Sequence, residues 1–234
     1  MRVFVLTGAG VSAESGLGTF RDREGLWARF DPRKLATPEA FAADPVAVHA
    51  FYDGRRRDAL AAVPNAAHRA LARLEAGLAA RGGALFLCTQ NIDDLHERAG
   101  ARHVHHMHGE LMKARCLGCG AVSPWHDDMG VFVHCPSCGA ARLRPDIVWF
   151  GEVPMGLDIV EAALDRADLF AAIGTSGAVY PAAGLVAEAR ARRIPTLEIN
   201  LEAADNAGLF DDAIYGPATA AVPAWVDEIL GTPA

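Results

Sequence analysis

Cys116, Cys119, Cys135 and Cys138 form two C-x2-C pairs with fifteen residues between them. That is the spacing of a zinc ribbon. Each pair presents two thiolates from one tight turn, and two such turns close a tetrahedron around Zn²⁺. Thiolate would fill every position and leave none for water, so the metal is expected to be structural and the chemistry to lie elsewhere. His103, His105, His106 and His108 offer a rival metal set. Alternate residues of a strand point the same way only in part, however, and the four thiolates make the better site. His108, followed by Gly109, is instead the general-base candidate, because imidazole titrates near neutrality.

Small polar residues recur where apolar runs stop. Val3–Leu6 leads into Gly8-Ala9-Gly10-Val11-Ser12-Ala13, which fits G-x-G-x-x-G/A after a first strand. Glycines there let backbone approach a pyrophosphate, and a following helix N-terminus would add N–H groups; a tight strand–helix turn is the plainer alternative. A dinucleotide-binding dehydrogenase reaches its second strand and ribose-binding acid about 20 residues later. Here the next apolar run begins at Ala84, and Ser15–Asp22 is a glycine-punctuated polar loop with one aromatic. Such a loop suits a flap over a cofactor rather than ordinary hydride transfer. Thr89-Gln90-Asn91-Ile92-Asp93 ends the second run, and Asn91 with Asp93 could hold a carboxamide or cap the helix Leu95–Arg98. Gly174-Thr175-Ser176 and Asn200 follow two further runs. In an open α/β sheet ligands sit beyond the carboxyl ends of strands, so these positions extend one edge.

The elements that must carry these residues are legible in outline. Val3–Leu6, Ala84–Cys88, Ile147–Phe150, Leu169–Ile173 and Thr196–Ile199 are short apolar runs, as expected of strands buried on both faces of a parallel sheet. Between them, Asn65–Ala80, Asp158–Arg166 and Ala182–Arg192 read as helices, with Leu71, Leu74 and Leu78 on one face of the first. Alternating strands and helices predict a doubly wound α/β fold. Phe30–Val63 reads as a helical excursion, opened by Thr37-Pro38-Glu39 as a cap with proline at the first helical position.

The chain has 234 residues, 51% of them apolar, with 22 basic and 29 acidic side chains and a formal charge of −7. That balance is a poor footing for nucleic acid, which calls for a basic surface. No apolar run approaches the ~18 residues of a membrane span. The N-terminus is too short and turns to glycine too soon for a signal peptide. Cys88, the fifth cysteine, lies in an apolar run and reads as a buried, inert thiol. The expectation is a cytoplasmic protein in a reducing compartment.

Taken together the residues resemble the sirtuins, NAD-dependent protein lysine deacylases. The matches are G-A-G-V-S-A-E-S-G-L-G-T-F-R-D at 8–22, T-Q-N-I-D at 89–93, H-G at 108–109, the two cysteine pairs, V-W-F-G-E at 148–152, G-T-S at 174–176 and I-N at 199–200. The resemblance implies a Rossmann-type domain, a small zinc domain and a cleft between them for NAD and an acyl-lysine peptide. It assigns the NAD-binding domain to 1–30, 64–112 and 144–234, a helical insert to 31–63 and the ribbon to 113–143. It implies that the acyl oxygen displaces nicotinamide from the ribose, that His108 then acts as general base on a ribose hydroxyl that attacks the resulting imidate, and that water completes the reaction, giving free lysine and O-acyl-ADP-ribose. His108 and Asn91 are the expected catalytic residues. Expected NAD contacts are Gly8, Ala9, Gly10, Ala13, Glu14, Thr19, Phe20, Arg21, Trp27, Gln90, Asn91, Ile92, Asp93, His108, Gly174, Thr175, Ser176, Asn200, Leu201, Glu202 and Ala218.

Val148, Phe150, Gly151 and Glu152 are expected on a strand edge that pairs with the peptide. Tyr52 and Arg55 match the Y-x-x-R of sirtuins that remove acidic acyl groups, and about one helical turn apart they would face the same way. The implied activities are deacetylation and desuccinylation. A mono-ADP-ribosyltransferase would use the same NAD site with another acceptor, and a zinc-ribbon binding module would need no catalytic set.

Overall fold

The computed structural model describes residues 1–18 and 35–231. Its main sheet has six parallel strands in the order β3-β2-β1-β7-β8-β9. These are β1 (Arg2–Thr7), β2 (Ala84–Thr89), β3 (Val104–His106), β7 (Leu169–Ile173), β8 (Thr196–Asn200) and β9 (Asp212–Tyr215). The strands β1, β2, β7 and β8 lie where the apolar runs predict them. The short strands β3 and β9 complete the two edges, and their partly exposed, polar residues carry little apolar signal. The order reverses at β1, which has β2 on one side and β7 on the other. The chain turns after β1 and β7 therefore meet at a topological switch point, where such sheets place ligands.

Helices cover both faces. On one, α3 (Ala66–Ala79) and α7 (Ala218–Leu230) bury Leu71, Leu74, Leu78, Val222, Trp225 and Val226 against Val3, Val5 and Ile199. The first of these helices starts sharply because the Asn65 side chain accepts the amides of Ala67 and His68 while His68 returns a ring nitrogen to the Asn65 amide, a reciprocal cap. On the other face, α5 (Leu157–Leu164) and α6 (Leu185–Ala191) pack Val160, Leu164 and Val186 on Phe4, Leu6 and Phe170. Cys88 is fully buried in this second core, where burial raises its thiol pKa, in keeping with an inert cysteine.

A second, antiparallel sheet joins β4 (Gly109–Cys116), β5 (Val122–Pro124) and β6 (Leu143–Ile147) in the order β5-β4-β6. This corrects the expectation of a parallel-sheet strand at Ile147–Phe150. The strand stops at Ile147, and Val148–Glu152 turns, with Gly151 in the left-handed region and the Glu152 amide donating to the Trp149 carbonyl. The cysteine turns hang from this sheet over a small core of Ala114, Met129 and Leu143.

Two helices bridge the sheets. The first, α1 (Pro38–Ala43), is capped by Thr37 with Pro38 in its first turn, as the sequence predicts. The second, α2 (Pro45–Ala61), is capped by Asp44 and buries Val48, Phe51, Tyr52 and Ala59 against Leu111, Ile147 and Trp149. A buried ion pair ties its other side to the ribbon. Asp53 binds Arg56 at 2.6 Å and accepts the Met129 amide at 2.9 Å, while Arg56 donates to the carbonyls of Leu111 and Asp127.

Candidate active site and zinc centre

One cavity of about 690 Å³ runs from the switch point of the parallel sheet to α2 and the turn after β6. Every described residue expected to touch NAD or substrate lines it. Thr19, Phe20, Arg21 and Trp27 lie outside the described residues.

At the switch point the turn after β1 packs backbone to backbone on the turn after β7. Gly8 donates to the Ile173 carbonyl and Gly10 to that of Gly174 at 2.9 Å. A Cβ at either glycine would lie 2.7 Å from Gly174 backbone atoms, so a side chain there would push the two turns apart. The glycine motif thus has a packing reason within the protein. The expected helix after it is absent among the described residues. Two 3₁₀ turns, Ala9–Val11 and Ala13–Ser15, end at left-handed Gly16. Glu14 lines the cavity, but its carboxylate accepts the Thr219 amide at 2.9 Å and the Thr219 hydroxyl at 2.6 Å, capping the start of α7.

Beyond β2, Asn91 and Asp93 are buried and held by Ser12, a residue the motif contains but whose role was missed. The Asn91 amide group donates to the Ser12 hydroxyl at 3.1 Å, and that hydroxyl donates to Asp93 at 3.2 Å. His68 supplies the third contact at 3.3 Å. Its Nδ1 accepts the Asn65 amide, so Nε2 carries the hydrogen and donates to Ser12. Burial first, then the nearby Arg69 charge, depresses His68 to about 4, so it stays neutral. Burial raises Asp93, against the Leu95 amide and the Ser12 hydroxyl. The Asn91 backbone is fixed as well, its amide on the Thr89 hydroxyl and its carbonyl on His106 Nδ1 at 3.1 Å. Burial works against charging His106, but hydrogen bonding to Glu97 at 2.7 Å and nearby carboxylates outweigh it and raise its pKa.

His108 stands between β3 and β4, with Nδ1 3.2 Å from the Gln90 carbonyl. A carbonyl only accepts, so Nδ1 carries the hydrogen and Nε2 keeps its lone pair. Burial lowers the His108 pKa, partly countered by Gln90, which keeps the ring neutral at pH 7. The remaining histidines diverge. His103 pairs with Glu75 at the surface, and His105 lies against the Met155 carbonyl. At the ends of β7 and β8, Asn200 donates to the Thr175 carbonyl and to buried Glu198, tying the two strand ends together.

The α2 side of the cavity is more densely interlocked. Tyr52 and Arg55 both line the cavity, with the Arg55 guanidinium 5.8 Å from the Phe51 ring centroid. The Trp149 indole donates to the Tyr52 hydroxyl at 3.0 Å. Arg144 stacks 3.4 Å from the Trp149 ring centroid and holds Glu152 through two bonds of 2.7 and 2.9 Å. Burial first, offset by Arg55 and Trp149, leaves Tyr52 pushed up to about 12. Trp149 and Arg144 were missed, although a buried indole needs an acceptor and could have been queried on that ground. Val148–Glu152 is a turn and not the expected strand. The amides of Val148, Trp149, Phe150 and Glu152 are all taken inside the protein, by His108, Glu152, Ala36 and Trp149.

The four ribbon sulfurs lie within 4.8 Å of one another, the one such group among the described residues. Cys116–Cys138 and Cys119–Cys135 sulfurs are 3.7 and 3.8 Å apart. A tetrahedron with Zn–S of about 2.3 Å has edges of about 3.8 Å, so the set fits one structural Zn²⁺. The amides of Gly118 and Ser137 point at Cys116 and Cys135 sulfurs, as thiolate ligands require.

Parallel sheet, switch-point cavity and thiolate ribbon together define an α/β nucleotide-site protein with a structural zinc. The Sir2 family model matches residues 8–181, and the chain belongs to that family. It is 59% identical over 231 residues to the NAD-dependent protein deacylase of Caulobacter vibrioides, covering 98% of this chain and 97% of that one. It is also similar to the crystal structure of a Sir2 homolog–NAD complex, with a TM-score of 0.88 and 40% identity over 97% of this chain and 89% of that one. A mutant Sir2 homologue in complex with 2′-O-acetyl-ADP-ribose gives a TM-score of 0.89 and 39% identity over 97% of this chain and 91% of that one.

Proposed function

We propose that the protein is an NAD-dependent protein-lysine deacylase acting on acetyl- and succinyl-lysine. The observation that carries the reading is the single cavity in which a neutral His108, with a free Nε2 lone pair, shares a space with the glycine turns and with Tyr52 and Arg55. The relative named an NAD-dependent protein deacylase supports the deacylase part of this reading, and the Sir2 homologue held with 2′-O-acetyl-ADP-ribose supports the acetyl part.

NAD supplies a ribose carbon that the substrate's acyl oxygen can attack as nicotinamide leaves. The chain's own groups bind and orient. The Gly8–Gly10 turn holds the phosphates at the switch point, with Gly174 and Thr175 beside it and Ser176 toward the adenosine half. Ala13, Glu14, Gln90 and Ile92 complete the wall, and Asn200, Leu201, Glu202 and Ala218 flank the adenosine half. Asn91 and Asp93, locked by Ser12, hold the carboxamide. His108 Nε2 accepts a proton from a ribose hydroxyl, the role for which its lowered pKa suits it at pH 7. Val148, Phe150 and Gly151 shape the peptide side of the cavity, and Tyr52 with Arg55 reads the acyl end. By this reading 31–63 is the acyl-pocket insert and 113–143 the ribbon.

No described helix is long and apolar enough to cross a membrane. Five cysteines without a disulfide and a charge of −7 agree with a cytoplasmic enzyme that does not bind nucleic acid directly. Acetyl-lysine peptide, NAD and water should together yield nicotinamide, free lysine peptide and O-acetyl-ADP-ribose, the products all resolvable by mass spectrometry. Nicotinamide release with ADP-ribose attached to protein would replace deacylation by ADP-ribosyl transfer.

A further inference from the structure

The Tyr52 hydroxyl is buried, and among the described residues Trp149 is its one hydrogen-bond partner. An indole N–H can only donate, so the hydroxyl must accept that bond. Its own hydrogen is then left for another acceptor. Arg55, which lines the same wall as Tyr52, carries donors only. The two side chains line the same cavity, and burial, which pushes the Tyr52 pKa up to about 12, keeps the Tyr52 hydrogen in place at neutral pH. A terminal carboxylate offers acceptors to both. An acetyl methyl offers none.

Trp149 is itself held rigidly. It is 2% exposed, its ring lies under the Arg144 guanidinium, and its backbone amide donates to Glu152 at 2.8 Å. Arg144 also donates to the Ile147 carbonyl at 2.6 Å, at the end of β6. A guanidinium over an indole face adds a cation–π attraction. The chain Glu152–Arg144–Trp149–Tyr52 thus runs from the turn after β6 to a hydroxyl on α2.

We propose that Trp149 is a positioning residue that fixes Tyr52 as a hydrogen-bond donor, and so sets the preference for acyl groups ending in a carboxylate. The proposal rests on the reading of Tyr52 and Arg55 as an acidic-acyl pocket. Without the indole hydrogen, the hydroxyl is free to rotate and to accept from Arg55, which competes with the substrate carboxylate.

The test is a double-mutant cycle on the ratio of desuccinylation to deacetylation kcat/KM, with wild type, Trp149→Phe, Tyr52→Phe and the double variant. Trp149→Phe keeps the stacked ring and removes the donor. It should lower the ratio about fivefold, the typical worth of one neutral hydrogen bond, chiefly through KM for the succinyl peptide. On the Tyr52→Phe background it should change the ratio little, because the hydroxyl it orients is gone. A merely structural Trp149 would give the same drop on both backgrounds, and that result, or no drop at all, overturns the proposal. Arg144→Lys leaves the indole in place, keeps a positive charge facing Glu152 and removes the flat group stacked on the ring together with its fork of bonds, so it should move the ratio the same way by about two- to threefold, even if Trp149→Phe does not fold; an unchanged ratio there counts against the proposal. Arg55→Met separates the two levels. If it leaves the ratio unchanged, the carboxylate pocket fails and the Trp149 role with it. If it is selective while Trp149→Phe is indifferent, only the Trp149 role fails.

Discussion

At the ends of β1, β2, β7 and β8 the cavity is lined by glycine backbone and by short side chains held through Ser12, His68 and Thr89. Those groups follow closely on the strands that position them. The opposite wall, largely apolar at its surface, is backed by buried charges. Asp53 and Arg56 are buried behind α2, and Arg144 with Glu152 lies behind Trp149. Buried ion pairs gain little net stability against their desolvation cost, but removing one partner costs about 3–5 kcal/mol. The nucleotide edge is therefore a property of the sheet itself, whereas the acyl wall depends on α2, the ribbon and the turn after β6 staying in register.

The largest expected effect breaks that dependence at its far end. A structural zinc contributes on the order of 10 kcal/mol to the fold it closes. Metal analysis should find about one zinc per chain, and Cys119→Ala should unseat the ribbon. Because Met129 and Asp127 grip Asp53 and Arg56, hydrogen exchange should then show α2 losing protection before β1 and β7. Full protection of α2 in Cys119→Ala would uncouple the acyl wall from the ribbon.

His108→Ala comes next, and it probes the nucleotide edge. Loss of a general base should lower turnover about 10²–10⁴-fold, some 3–5 kcal/mol, while NAD binding by calorimetry persists. The pH profile carries the sign. Burial holds the folded His108 pKa below its usual 6.5, so the active, neutral ring dominates at pH 7 and is lost as pH falls through that lowered value. The acid limb of kcat/KM should have its midpoint below pH 6.5. Near-wild-type deacylation by folded His108→Ala would remove the assignment.

The two walls also differ in how far the sequence discloses them. Buried strands declare themselves as apolar runs, and a ligand edge beyond them follows from topology, so Gly8, Asn91, Ser176 and Asn200 were placeable one strand end at a time. The cysteine spacing fixes the zinc set almost without structure. Glu14 shows the limit on this side, since nothing near it in sequence signals that it caps a helix 205 residues away. On the acyl wall nearly every contact is of that kind. Trp149 reaches Tyr52 across 97 residues and Asp53 reaches Met129 across 76. The turn at Val148–Glu152 escaped for a related reason. Its apolar residues read as a strand, while the side-chain contacts of Glu152 that fold it back depend on Arg144.

The smallest of these three effects is also the most pointed. Whether the acyl wall reads a carboxylate is decided by measuring kcat/KM for matched acetyl- and succinyl-lysine peptides in wild type and Arg55→Met. Charge-assisted hydrogen bonds contribute about 1.5–3 kcal/mol, or roughly one to two decades at ~1.4 kcal/mol per tenfold. The succinyl-to-acetyl ratio should fall by that factor in Arg55→Met. Equal losses for both peptides would make Arg55 a structural arginine and contradict the carboxylate-reading wall.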